Sequence, residues 1–290
     1  MRVEGRFVVY KRGGQVVHIM SGSSAPAADF VVNKGGPKRS FPFRGDETLE
    51  VMPLGGGNEV GRSCCLLKFK GKTIMFDCGV HPGYRGEESL PFFDEVDADQ
   101  VDLLLVTHFH VDHAAGVPYW LTKTAFKGKT YMTYPTLAIC KLVWSDFIKV
   151  SGVADGSGNL YNDKDIQDTI SQINLIDYHQ EIEVEGVRFS CFNAGHVLGA
   201  CMYLVQIAGV RVLYTGDYSR QEDRHLMAAE MPGVKVNVLV VESTYGVQVR
   251  FRLLGDLAVQ ISQHSMDTLA YGAAEARVES NVVVLVMVMM

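Results

Sequence analysis

The chain has 290 residues, 47% apolar and 21% charged, the balance of an ordinary globular protein rather than a disordered or fibrous one. With 27 Lys and Arg against 33 Asp and Glu, the net charge of −6 excludes a global basic footprint, so any nucleic-acid contact must rest on a local patch. The six cysteines (Cys64, Cys65, Cys78, Cys140, Cys191 and Cys201) have neither C-x-x-C spacing nor the density of a disulfide framework, which points to a reducing compartment, cytosol or nucleus.

The first residues hold no apolar segment of the kind a secretory signal needs. Residues 282–290 form the one long apolar run, well short of the roughly 20 residues that cross a bilayer, so no membrane contact is expected. In chain order, residues 6–20 (RFVVYKRGGQVVHIM) predict two short strands joined by Gly13-Gly14, a two-residue hairpin signal. His18 lies within the second of them and reads as structural. Residues 21–29 are small and polar, and residues 35–45 are rich in Gly and Pro, so both read as linker. Residues 1–50 are therefore expected to be an extension of hairpin plus linker.

From about Thr48 the texture tightens. Residues 54–64 (LGGGNEVGRSC) invite a dinucleotide fingerprint, but starting G-x-G at Gly55 puts Val60 where the last glycine belongs. A glycine loop bringing backbone close to a buried ion site is the better account. Residues 65–70 and 72–76 flank Gly71 as a hairpin that ends on Asp77, a carboxylate that alone would pass for a turn former.

The densest chemistry follows. Residues 101–107 are a short apolar run suited to a buried strand, and His108, His110, Asp112 and His113 come immediately after it. On an extended end His108 and His110 point the same way, so both imidazoles can reach one ion. Asp112 and His113, where the chain turns, can face a second. Imidazole and carboxylate are the donors Zn²⁺ accepts, and two such ions about 3.5–4 Å apart make a hydrolytic pair.

Beyond the cluster, residues 135–150 carry a helical stripe of Leu137, Leu142, Val143, Phe147 and Ile148, with Trp144 read as core. Asn162 or Asp163 caps a second helix showing Ile166, Ile170 and Ile173. Lys123, Lys127 and Lys129 read as a solvated face. Strands are expected over residues 181–185, 187–193, 202–207, 210–215 and 237–241, with His196, Asp217 and Glu242 at strand ends. Polar ligand types closing several apolar runs converge along one sheet edge. After residue 247 the turn logic fades, and His264 there has no partner motif.

The order His108-x-His110-x-Asp112-His113, with Asp77 before it and His196 and Asp217 after, resembles the metallo-β-lactamase superfamily. Residues 53–64 (PLGGGNEVGRSC), 194–200 (AGHVLGA), 214–230 (YTGDYSRQEDRHLMAAE) and 242–246 (ESTYG) are similar to its β-CASP nuclease branch, and there to the endonucleases of pre-mRNA 3′-end processing. The likeness covers residues 51–248, leaving residues 249–290 as a divergent tail. It implies an α/β fold of the αββα type, mixed sheets flanked by helices, here incomplete because no β-CASP domain is recognisable.

It further implies that His108, His110 and His196 bind one zinc, Asp112 and His113 a second, and Asp217 bridges them. Asp77 would orient a ligand imidazole. Glu242 would support a catalytic histidine of the β-CASP domain, joining Asp112 and Asp217 in catalysis. The implied activity is zinc-dependent endonucleolytic cleavage of pre-mRNA in the nucleus, with RNA and the other cleavage and polyadenylation subunits as partners. Resembling only the first half of such enzymes, the chain is expected to be a truncated form of low activity. A scaffold subunit of the same complex and a small-molecule metallo-hydrolase are the competing expectations. The ligand set argues against the first, and the residues around Asp217 and Glu242 against the second.

Overall fold

The computed structural model describes the backbone of residues 6–10, 16–19, 30–33, 36–42, 48–57, 59–153, 159–242 and 283–287, and side chains within 48–57, 59–151 and 159–242. β1 (Arg6–Tyr10) and β2 (Val16–Ile19) pair antiparallel with Phe7 opposite Ile19, the pairing that Gly13-Gly14 predicts, although the two glycines lie outside the described residues. β3 (Phe30–Asn33) pairs with β4 (Gly36–Pro42), and β4 continues onto β5 (Thr48–Gly55) with Arg39 opposite Val51. The linker expected over residues 35–45 is thus largely strand. Its Gly and Pro are turn formers by composition, but a neighbouring strand supplies backbone partners that local propensity cannot foresee. The linker expected over residues 21–29 lies outside the described residues.

β6 (Cys64–Phe69) and β7 (Lys72–Phe76) form the expected hairpin. Lys70 and Gly71 turn it at φ 52° and 71°, the two positive values a tight hairpin turn requires. β8 (Leu103–Leu105) runs parallel to β7 and is buried along its length. It is followed by α1 (Val111–Ala114), α2 (Val117–Lys123), β9 (Lys129–Met132), α3 (Tyr134–Val153), α4 (Asp163–Gln172) and β10 (Ile173–Leu175). The second half is β11 (Glu181–Val184), β12 (Val187–Asn193), β13 (Cys201–Ile207), β14 (Val210–Tyr214), β15 (Val238–Glu242) and β16 (Val283–Met287). The first sheet has the order β3-β4-β5-β6-β7-β8-β9-β10 and the second β11-β12-β13-β14-β15-β16-β1-β2.

Period-two alternation decides how the two sheets meet. Leu67, Ile74, Phe76, Leu103 and Leu105 of the first sheet pack against Phe189, Tyr203, Val205, Val212 and Val240 of the second. Phe76 and Tyr214 stack across the interface with ring centroids 4.4 Å apart. The alternate residues Leu66, Met75 and Leu104 face the opposite side, where Trp120, Trp144 and Tyr161 cover them. Helix, sheet, sheet is therefore the layer sequence that this side-chain pattern produces, and it matches the mixed α/β architecture expected.

The buried stripe of α3 is Leu137, Cys140, Trp144 and Ile148, while Leu142, expected within it, is 71% exposed. Burial of Trp144 is completed by its indole N–H, which donates to the Ala114 carbonyl at 2.9 Å. Of the two candidate caps for α4, Asn162 is the one used. Its side chain accepts from the N–H groups of Lys164 and Asp165, and the Asp165 carboxylate accepts from the Asn162 N–H at 2.9 Å. Asn162→Ala strips both acceptor contacts from the first turn and is expected to lower stability by about 1 kcal/mol in chemical denaturation. An unchanged midpoint would show that water replaces the cap without cost.

Candidate metal centre

Strand direction brings the sequence-predicted residues to one edge. β7 and β8 are parallel, so Asp77 and the segment carrying His108 leave the first sheet at the same end. β12 and β14 are each antiparallel to β13, so His196 and Asp217 leave the second sheet side by side. β15 is parallel to β14 and ends on Glu242, whose N–H reaches Thr215 Oγ1 at 3.4 Å.

The ladder of β8 ends at Leu105, earlier than the apolar run suggests, but residues 106–110 continue to a common point. His108 Nε2 lies 3.0 Å from His110 Nδ1, which lies 3.2 Å from His196 Nε2. Asp217 Oδ2 stands 3.5 Å from His196 Nε2 and 3.9 Å from His108 Nε2. One ligand atom from each of His108, His110, His196 and Asp217 lies within 4.8 Å of all the others. Donors held about 2.0–2.2 Å from one ion at tetrahedral angles stand about 3.3–3.6 Å apart, so these spacings fit a four-coordinate site.

A second, looser set adjoins it. His113 Nε2 lies 3.4 Å from Asp217 Oδ1 and 3.7 Å from Asp112 Oδ2. The two carboxylate oxygens of Asp217 thus face the two sets separately. Asp217 Oδ1 is buried and makes no hydrogen bond among the described residues, an orphan that a cation would satisfy. Asp112 and His113 sit on α1, whose carbonyls accept from the Ser63, Cys78 and Val80 N–H groups at 2.8, 2.8 and 3.0 Å. The short helix is thereby fastened beside the cluster by its backbone, independently of either side chain.

In the first set electrostatics favour neutral rings. Burial pushes the His108, His110 and His196 pKa values below the usual histidine range, and neighbouring imidazoles push the same way. Burial also acts to lower His113, but the carboxylates of Asp217 and Asp77 outweigh it and hold that pKa well above the ordinary value. Burial raises Asp217, yet the charge of His113, with His196 and His110 behind it, leaves the carboxyl below its usual range.

Asp77 is fully buried at φ 58° and accepts from His113 Nδ1 at 2.9 Å, fixing that ring with Nε2 toward Asp112 and Asp217. Sequence reasoning passed over its other partners, the N–H and hydroxyl of Thr107 and, at 3.4 Å, the Tyr214 hydroxyl. The one available signal was that Thr107 is the polar residue closing the apolar run before His108. The glycine loop brings backbone close to the candidate site, as expected. An added Cβ on Gly55 would lie 2.1 Å from the Arg62 carbonyl and one on Gly56 3.1 Å from Ser63 Oγ, so the glycines let the loop fold tightly on itself, and its Ser63 N–H is the group that reaches the Asp112 carbonyl. His264 lies outside the described residues.

Comparison with known proteins places the chain in a family. The metallo-beta-lactamase superfamily domain matches residues 66–244. Over 206 residues the chain is 57% identical to cleavage and polyadenylation specificity factor subunit 3 of Dictyostelium discoideum, covering 70% of this chain and 27% of that protein. It is 54% identical over 205 residues to endoribonuclease ysh1 of Schizosaccharomyces pombe, covering 71% of this chain and 27% of that one. The chain thus spans about a quarter of the length of these curated relatives. Among solved structures, the metallo-beta-lactamase fold protein YhfI from Bacillus subtilis is similar at 16% identity and a TM-score of 0.40, over 63% of each chain. With the domain match spanning most of the chain and the ligand residues meeting where its two sheets end, the chain belongs to the metallo-β-lactamase superfamily.

Proposed function

We propose that the chain carries the metal-binding part of a zinc-dependent endoribonuclease of pre-mRNA 3′-end cleavage and polyadenylation. The observation behind this reading is the convergence of His108, His110, His196 and Asp217, in a chain 57% identical over 206 residues to a cleavage and polyadenylation factor subunit. In this reading His108, His110 and His196 would hold one ion and Asp112 and His113 a second, with Asp217 placed between the two sets. The looser spacing around His113 makes the second ion the weaker. Bound zinc supplies Lewis-acid chemistry, offsetting charge on phosphate oxygens and making hydroxide available near neutral pH.

The chain's own groups orient that chemistry. Asp77 keeps the His113 ring turned toward the cluster, while the partly exposed Asp112 and Asp217 carboxylates stand where a phosphodiester would approach. Glu242 steadies a proton donor contributed by the β-CASP part of such enzymes. RNA and the other subunits of the processing complex are its partners, and the nucleus is where it acts.

Single-stranded RNA cleavage tests the reading. The 290-residue chain assayed alone should cleave in a zinc-dependent way, with Asp112→Ala as the blank. If the general acid lies in the part of the Dictyostelium relative that this chain does not span, cleavage should run roughly 10²–10⁴-fold slower than that relative's at equal zinc occupancy. A zinc-loaded chain no faster than its Asp112→Ala variant would favour the scaffold role instead.

A further inference from the structure

We propose that Thr107 is a positioning residue that sets the tautomer of His108 by relaying the Asp77 carboxylate to it. The inference rests on the metal-site reading and goes beyond it to a residue outside the proposed ligand set. Thr107 is buried, and its hydroxyl lies 3.0 and 2.9 Å from the two Asp77 oxygens and 3.0 Å from His108 Nδ1.

Counting protons decides the direction. The Asp77 oxygens act as acceptors on every side, from the Thr107 N–H at 2.7 Å, His113 Nδ1 at 2.9 Å and the Tyr214 hydroxyl at 3.4 Å, so the single hydroxyl proton of Thr107 goes to Asp77. Toward His108 the same oxygen can then only accept, and Nδ1 must carry the hydrogen. The lone pair of the neutral ring is left on Nε2, the atom that faces His110 Nδ1 at 3.0 Å and Asp217 Oδ2 at 3.9 Å. Asp77 therefore orients two imidazoles, His113 directly and His108 through Thr107.

The hydroxyl has little freedom to do otherwise. The Thr107 N–H donates to Asp77 Oδ1 at 2.7 Å, and the Thr107 carbonyl accepts from the Cys201 N–H at 3.0 Å, tying it to the facing sheet. Gly216 packs against it so closely that a Cβ there would lie 2.7 Å from Thr107 Oγ1.

The test compares Thr107→Val, which keeps the shape and loses the hydroxyl, with Thr107→Ser, which keeps the hydroxyl. Cobalt(II) titration followed by visible absorption should find the valine variant about 10–100-fold weaker with an altered spectrum, and the serine variant restored to within a few-fold of wild type. Long-range ¹H–¹⁵N NMR of the metal-free wild-type chain supplies a readout that needs no variant to fold, and should find His108 protonated on Nδ1. Protonation on Nε2, or a folded Thr107→Val protein with wild-type affinity and spectrum, would overturn the inference. Failure of wild type itself to bind cobalt would instead sink the metal-site reading, while the tautomer measurement still decides the relay.

Discussion

A folded His196→Ala variant is expected to lose the tightly held metal equivalent after gentle dialysis. In the proposed site His196 supplies one of four ligand atoms, and of the four residues it alone reaches the cluster from the loop between β12 and β13. Loss of a residue that merely supports a ligand costs about 10–100-fold in metal affinity, so loss of the ligand itself should exceed about 100-fold. The loop should survive the change, because its backbone is held independently of the imidazole. The Gly199 carbonyl accepts from the hydroxyls of Thr133 and Thr136 at 2.7 and 3.1 Å, and the Ala194 carbonyl accepts from the Ser219 N–H at 2.9 Å. Metal analysis with a competing chelator reads the effect directly. Unaltered affinity in a folded variant would remove His196 from the ligand set.

The second large effect is expected at a residue with no side chain. A Cβ on Gly79 would lie 1.6 Å from the Asp112 carbonyl oxygen and 2.1 Å from its carbon. Neither side can yield cheaply, because α1 is fastened to residues 78 and 80 by the hydrogen bonds from Cys78 and Val80. Overpacking commonly costs about 1–3 kcal/mol, and a clash between two backbones belongs above that range. Gly79→Ala should therefore unfold the chain at ordinary temperature, or survive with α1, Asp112 and His113 displaced and the second metal position abolished. Gly71→Ala is the control. It meets nothing within 4 Å and bears only the strain of φ 71°, about 1–2 kcal/mol. Equal thermal midpoints for the two variants would show that the backbone contact at Gly79 can relax.

The convergence of His108, His110, His196 and Asp217 was legible because three histidines and an aspartate within six positions are hard to explain by packing, and because polar residues closing apolar runs locate a sheet edge. The strands were legible from period-two burial, as in β12, where Val187, Phe189 and Cys191 face the core. Other features depended on contacts that sequence does not carry. Leu142 and Cys140 both sit on α3, and only the direction of the sheet beneath decides that the thiol goes in and the leucine out. Residues 36–42 became strand because β5 lay beside them. Thr107 looked like the last residue of a strand, and its place between Asp77 and His108 requires two separate segments to be fixed in space.

The origin of the ligands has a mechanical consequence. His108 and His110 extend from the first sheet, and His196 and Asp217 from the second, so an ion at their meeting point fastens the open end of the sandwich like a clasp. Prying the sheets apart at this end and releasing the ion become the same event. Each tenfold excess of metal over its dissociation constant then adds about 1.4 kcal/mol of resistance to that opening. Amide exchange along the ends of β12 and β14 should accordingly slow in step with metal concentration, while the far ends of the same strands exchange at a rate that metal leaves alone.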